Sequence, residues 1–147
     1  MTNGSVTAIL QGLVLRVDHV GICVADIDAA ASPFTRLLGT EVVERETVAA
    51  QQVEVGWLQF PGAATRLELL RSVGNTGVDK FLAKRGNAMH HLAIAVSDIH
   101  TAVARIKEAG MELIDQEPRL GAGGHLVAFL HPRAMAGVLV ELVQEGA

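Results

Sequence analysis

The stretch from Val17 to Ile27 is in large part written a second time from Met89 to Ile99. Superposing His19 on His91 also pairs Ile22 with Ile94, Val24 with Val96, Asp26 with Asp98 and Ile27 with Ile99. The chain is therefore a duplication, and one structural plan must serve both halves. Each copy reads as a strand followed by a helix. In the strand, period-two alternation puts Val20, Ile22 and Val24 on one face and His19, Gly21 and Cys23 on the other. The second copy repeats this with His91, Ala93 and Ala95. A histidine with two small neighbours, found twice at one repeat distance, points to a cavity with ligands directed into it.

The remaining elements follow from local signals. Residues 1–12 form a lead-in, the first strand covers 13–24, and Asp26 caps a helix over 28–38 that Gly39 ends. Pro33 inside that helix predicts an early kink or a later start. Strands at 41–47, 53–60 and 65–71 complete a β-α-β-β-β module over 13–72. A connector over 73–87 carries a short helix at 78–85, stopped by Gly86. The second module, 88–147, has a helix from Ile99 to Ala109 capped by Asp98, strands at 112–115, 126–131 and 137–143, and a glycine-rich loop at 119–125. The expected fold is α+β: two tandem βαβββ modules in one domain, 1–147, forming a curved mixed eight-stranded sheet around a metal-binding cavity.

The last strand of each module supplies a second internal match, Thr65 to Leu70 against Val138 to Val143, in which Glu68 corresponds to Glu141. Each is a lone carboxylate in an apolar strand, and a buried charge needs a partner or a metal. His19 and Glu68 from one half would meet His91 and Glu141 from the other. Two imidazoles and two carboxylates suit a divalent ion such as Co²⁺, Mn²⁺, Ni²⁺ or Zn²⁺.

Other function classes are excluded or disfavoured. A net charge of −4 with no Lys/Arg run and 3% aromatic residues argues against a nucleic-acid binder. No apolar run approaches the ~20 residues of a membrane span, and the first twelve residues lack a signal-peptide pattern. One cysteine allows no internal disulfide, so a cytoplasmic setting is expected, with Cys23 an inert buried thiol. Apolar edge strands suggest a homodimer.

These residues resemble the vicinal-oxygen-chelate (glyoxalase-like) superfamily and, within it, the methylmalonyl-CoA epimerase family. The resemblance rests on Asp18 to Ile22, Leu67 to Leu70, Lys80 to Gly86, His90 to Ala93, Glu117 to Arg119 with Gly121 to Gly124, Phe129 to Pro132 and Gly137 to Leu142. It implies metal ligation by His19, Glu68, His91 and Glu141, and an acyl-CoA substrate epimerised by α-proton abstraction through a stabilised enolate. Glu141 is then one base and Glu54 the candidate for the second, although the family's third-strand carboxylate aligns with Val55. His125, His131 and Arg119 are candidate substrate contacts, and Arg133, Lys84 and Arg85 further candidates for the CoA arm. His90 is expected to be structural and His100 exposed. A glyoxalase-type isomerase or lyase, and a metal-free small-molecule binding protein, are the alternatives of the same fold.

Overall fold

The computed structural model describes residues 7–144. In chain order the elements are β1 (Val14–Cys23), α1 (Ile27–Leu38), β2 (Val42–Val48), β3 (Val53–Leu58), β4 (Arg66–Ser72), α2 (Thr76–Arg85), β5 (Ala88–Val96), α3 (Ile99–Glu108), β6 (Arg119–Leu120), β7 (Leu126–Leu130) and β8 (Val140–Gln144). All eight strands lie in one sheet of order β2-β3-β4-β1-β5-β8-β7-β6. The expected fold class is what the chain adopts. None of the described helices is long and apolar enough to cross a membrane.

The two halves meet where β1 and β5 run antiparallel, with His19 opposite Ala93 and Gly21 opposite His91. Outside this pair, β4 lies parallel to β1 and β8 parallel to β5, so Glu68 sits beside Gly21 and Glu141 beside Ala93. The duplication thus appears as a reciprocal register.

Alternation then sorts every strand into two faces. One face is covered by the helices: Val24, Leu58 and Leu69 pack against Ile27 and Ala31 of α1. In the other half, Val96, Ala128, Leu130, Val140 and Leu142 pack against Ile99, Ala102, Val103 and Ile106 of α3. The opposite, concave face holds both histidines and both glutamates. Cys23 joins Val53, Val55, Trp57 and Leu70 in an apolar cluster at one end of it, fully buried as expected.

Local capping explains the helix boundaries. Asp26 accepts from the Ala29 amide at 2.8 Å and Asp98 from the Thr101 amide at 3.0 Å, so the repeated aspartates start both module helices. Pro33 neither delays nor interrupts α1, contrary to expectation. It lies on the solvent side with Ala29, whose carbonyl it leaves without an amide partner in the helix but within reach of water. Asn75 caps α2 through the Val78 amide, so the helix starts at Thr76, two residues before the expected start, and the Asn75 side-chain amide donates to the Gln51 carbonyl at 2.8 Å.

One expected strand does not form. Residues 112–115 make only an isolated bridge, Leu113 to Leu130. The Asp115 carboxylate takes the Phe129 amide at 2.8 Å and the Arg119 guanidinium at 3.0 Å, so the side chain occupies a donor that a ladder would need. The eighth strand is instead β6, at the start of the glycine-rich loop. β8 begins three residues later than expected because 132–138 fold into a turn in which Gly137 donates to the Pro132 carbonyl.

Leu58 is fully buried between β3 and α1. Replacing it with alanine should lower unfolding free energy by about 2–5 kcal/mol. Urea denaturation checks this, and a loss below 1 kcal/mol would mean that this core is not tightly packed.

Candidate active site

The concave face encloses a cavity of about 540 Å³. At its floor, His19, Glu68, His91 and Glu141 are 3%, 6%, 7% and 6% exposed. The small residues between the strands have a role that differs from the cavity role expected of them. A Cβ on Gly21 would lie 2.0 Å from His91 Cε1, so the glycine makes room for the imidazole of the other half. Ala93 stands opposite His19 in the same way. Aromatic walls complete the pair: Trp57 meets the His19 ring edge-on at 4.9 Å and Phe129 meets His91 at 5.8 Å. Trp57 and Phe129 are themselves opposite Glu68 and Glu141.

The donor atoms converge. His19 Nε2 lies 3.1 Å from His91 Nε2, 3.0 Å from Glu141 Oε1 and 3.8 Å from Glu68 Oε1. His91 Nε2 lies 3.3 Å from Glu68 Oε1 and 3.6 Å from Glu141 Oε1. An ion with donors at about 2.1 Å separates neighbours by about 3.0 Å at a right angle and about 3.4 Å at the tetrahedral angle. The observed spacings span these values, so the floor could hold a divalent cation; the donor atoms of His19, Glu68 and His91 all lie within 4.8 Å of one another.

The electrostatics favour the same conclusion. Burial disfavours a charged His19, but hydrogen bonds to Asp18 and Glu141 and the charge of Glu68 outweigh it and push the ring up to about 10. Burial likewise opposes an ionised Glu68, yet His91 and His19 hold its carboxyl below the ordinary range. The floor of the cavity is a place that calls for positive charge.

Of the two residues behind the histidines, Asp18 has no role assigned from the sequence. Asp18 Oδ2 lies 2.7 Å from His19 Nδ1, and Arg16 donates to Asp18 Oδ1 at 3.2 Å. A carboxylate there keeps the proton on Nδ1 and turns the Nε2 lone pair to the centre. In the second half His90 takes the Asp18 position, with its Nδ1 3.0 Å from His91 Nδ1. Burial, then the neighbouring His91, push His90 down to about 4 against the pull of Glu68. A neutral His90 can accept from His91, which gives it a definite part in the structural role expected of it.

Other expected residues divide. Arg119 and His125 line the cavity. His131 does not: its Nδ1 accepts from the Arg133 amide at 3.1 Å and caps a turn of 3₁₀ helix outside. Glu54 also falls outside. It projects from the opposite face of β3 toward Arg71, 3.5 Å away, because one residue along a strand reverses the side. Lys84, Arg85 and Arg133 are not among the lining residues, and Arg133 pairs with Glu112 at 2.8 Å. His100 is exposed, as expected. The lining residues that sequence reasoning missed are Glu44 and Glu46 on β2, Gln51, and Arg66, whose guanidinium sits 4.0 Å over the Trp57 ring.

A paired βαβββ sheet with a central His/Glu cluster defines a class of protein, and residues 18–129 match the family described as the Glyoxalase/Bleomycin resistance protein/Dioxygenase superfamily. The chain belongs to that superfamily. More particularly, it is 39% identical to the ethylmalonyl-CoA/methylmalonyl-CoA epimerase of Cereibacter sphaeroides, over 88% of this chain and 97% of that one. The crystal structure of methylmalonyl-CoA epimerase from Mycobacterium tuberculosis is similar at a TM-score of 0.87 and 34% identity, covering 93% of this chain and 92% of the other. A Streptomyces coelicolor methylmalonyl-CoA epimerase variant in complex with 2-nitronate-propionyl-CoA superposes at 0.83 with 35% identity, over 91% and 96%.

Asp18→Asn removes the anion behind His19 while keeping its size. Affinity for Co²⁺, measured by titration calorimetry, should fall about 10–100-fold with the fold intact. Unchanged affinity would show that Asp18 does not orient the ligand.

Proposed function

We propose that the protein is an isomerase that epimerises the α-carbon of a malonyl-type acyl-CoA thioester, with methylmalonyl-CoA as the leading substrate. His19, Glu68, His91 and Glu141 are the proposed ligands of a divalent metal, of the Co²⁺, Mn²⁺, Ni²⁺ or Zn²⁺ kind. The observation that carries the reading is the convergence of these four side chains on one point at the floor of a cavity large enough for an acyl group. Similarity to methylmalonyl-CoA epimerases over nearly the whole chain supports the choice of substrate. In the Streptomyces coelicolor complex the ligand is an acyl-CoA nitronate, planar at C2 as the enolate of a malonyl thioester is.

Epimerisation requires a proton to leave C2 and another to return to the opposite side, with no change of oxidation state. His19, Glu68, His91 and Glu141 would hold the divalent ion, whose Lewis acidity would stabilise negative charge developing on a carbonyl oxygen. The chain's residues supply the rest. Val53, Val55, Val127 and Val143 line the cavity and keep the reacting carbon in a partly dry site, where fixed charges act strongly. Glu141, at the floor, is the proposed base on one side of C2. Arg119, held by Asp115 beside the glycine-rich loop, is placed to meet the negative charge of the CoA arm, with His125 next to it in the lining. A cytoplasmic setting and a homodimer belong to the same proposal; the outer end of β1 exposes Val14 and Leu15.

Purified protein should incorporate solvent deuterium at C2 of methylmalonyl-CoA in D₂O, lose this on dialysis against a chelator and regain it with Co²⁺. Glu141→Gln should abolish epimerisation and the exchange of the enantiomer whose proton faces Glu141. Mass spectrometry of the thioester reads the label, and metal analysis of the variant separates loss of the base from loss of the ion. Undiminished exchange in Glu141→Gln would remove Glu141 as a base.

A further inference from the structure

We infer that Glu46 is the second general base, acting on C2 from the wall opposite Glu141; this rests on the epimerase reading above. Of the carboxylates that line the cavity, three are already engaged: Asp18 with His19, and Glu68 and Glu141 with the imidazoles. The remaining two, Glu44 and Glu46, stand on β2. The adjacent wall of β3 presents Val53, Val55 and Trp57, none of which can carry the proton. Glu46 is directly opposite Val55 in the β2–β3 register, on the same face, so its Cβ stands about 5 Å from that of the valine. Its carboxylate therefore reaches over a buried apolar wall into the cavity.

Glu46 is also held in place. The Gly123 amide, in the glycine-rich loop of the other half, donates to Glu46 Oε1 at 2.5 Å. Gly123 has φ +67°, a conformation that suits glycine and that aims the amide back across the cavity. Glu44 lies one step further along β2, opposite Trp57 and exposed to solvent. Glu46 is half-buried, which suits proton transfer better. In the sheet order, β8 with Glu141 and β2 with Glu46 fall on opposite flanks of the central β1–β5 pair.

In this scheme the C2–H bond breaks as an O–H bond forms on Glu46, and the C–H electron pair enters the enolate. Glu141, in its protonated form, then delivers a proton to the other side of C2, its O–H electron pair staying on the carboxylate. The reverse direction exchanges the two roles. Substrate and product carry the same atoms, and each carboxyl group recovers its starting state by exchange with water.

Glu46→Gln tests this cleanly, because the amide oxygen still accepts from Gly123 while the group no longer takes a proton. Each enantiomer of methylmalonyl-CoA is incubated in D₂O with wild type, Glu46→Gln and the shortened Glu46→Asp, and C2 labelling and epimer composition are followed separately. Wild type should label and epimerise both enantiomers. Glu46→Gln should retain its metal, epimerise about 10²-fold or more slowly, and still label the one enantiomer whose proton faces Glu141. Glu46→Asp should fall between them. Epimerisation by Glu46→Gln within a few-fold of wild type, or equal loss of labelling for both enantiomers with the metal retained, would overturn the assignment. Wild type that labels neither enantiomer would overturn the epimerase reading itself, and with it the role of Glu46.

Discussion

Two buried carboxylates in the middle of a β-sheet are what the rest of this molecule has to accommodate. Glu68 and Glu141 are each 6% exposed, and an ionised group at such depth costs several kcal/mol unless its charge is answered. The answer comes across the repeat. Parallel pairing of β4 with β1 and of β8 with β5 sets each glutamate beside a small residue, and antiparallel pairing of β1 with β5 fills the space above that residue with the histidine of the other half. Gly21 is thus required by His91, and the register is required by both. A slip of one residue between β1 and β5 would turn the groups of one half onto the helix-covered face and break the convergence.

The duplication supplies convergence, and divergence between the copies supplies direction. The floor is nearly symmetric, with Trp57 and Phe129 as equivalent walls. Behind it, Asp18 in one half corresponds to His90 in the other. The sheet edges differ more: β2 runs seven residues and presents Glu44 and Glu46, whereas its counterpart β6 has two residues and gives way to the loop that carries Gly123 and His125. A substrate in this cavity meets acid from one edge and backbone amides and Arg119 from the other. A symmetric site could not tell the two ends of an asymmetric ligand apart; these edges differ in charge and in donors.

Much of this was legible in the chain because period two is a strict rule. The positions of His19, Glu68, His91 and Glu141 relative to their apolar neighbours already placed them on one face, and the repeat already brought them together. What was not legible depended on contacts between distant segments. Glu54 and Glu46 are both acids in short strands, and only pairing across β2 and β3 decides which faces inward. Val43 is 54% exposed while Glu44 and Glu46 on the same strand border the cavity, an inversion of the usual pattern that appears only once β2 is paired. The strand expected at 112–115 was lost to Asp115, whose carboxylate competes for a backbone donor in a way that no periodicity records. The small residues of β1 and β5 were correctly read as making space, but the space is occupied by imidazoles, and the cavity lies above them.

The hydrogen-bond directions at the floor carry the argument for a cation further than distances alone. Asp18 is a carboxylate held below the ordinary range, opposed by burial but sustained by His19 and the nearby Arg16 and Arg66, so it accepts and His19 Nδ1 donates. A neutral His19 then turns an Nε2 lone pair inward. With His90 Nδ1 as acceptor and His91 Nδ1 as donor, one of the two tautomers that their 3.0 Å contact allows, a second lone pair turns inward. Two lone pairs 3.1 Å apart, beside two carboxylate oxygens, repel one another unless positive charge lies among them. A single proton on His19 answers part of that repulsion. A divalent ion held there, as proposed, would answer the remaining donors together, and Asp18 behind His19 would keep one of them turned toward it.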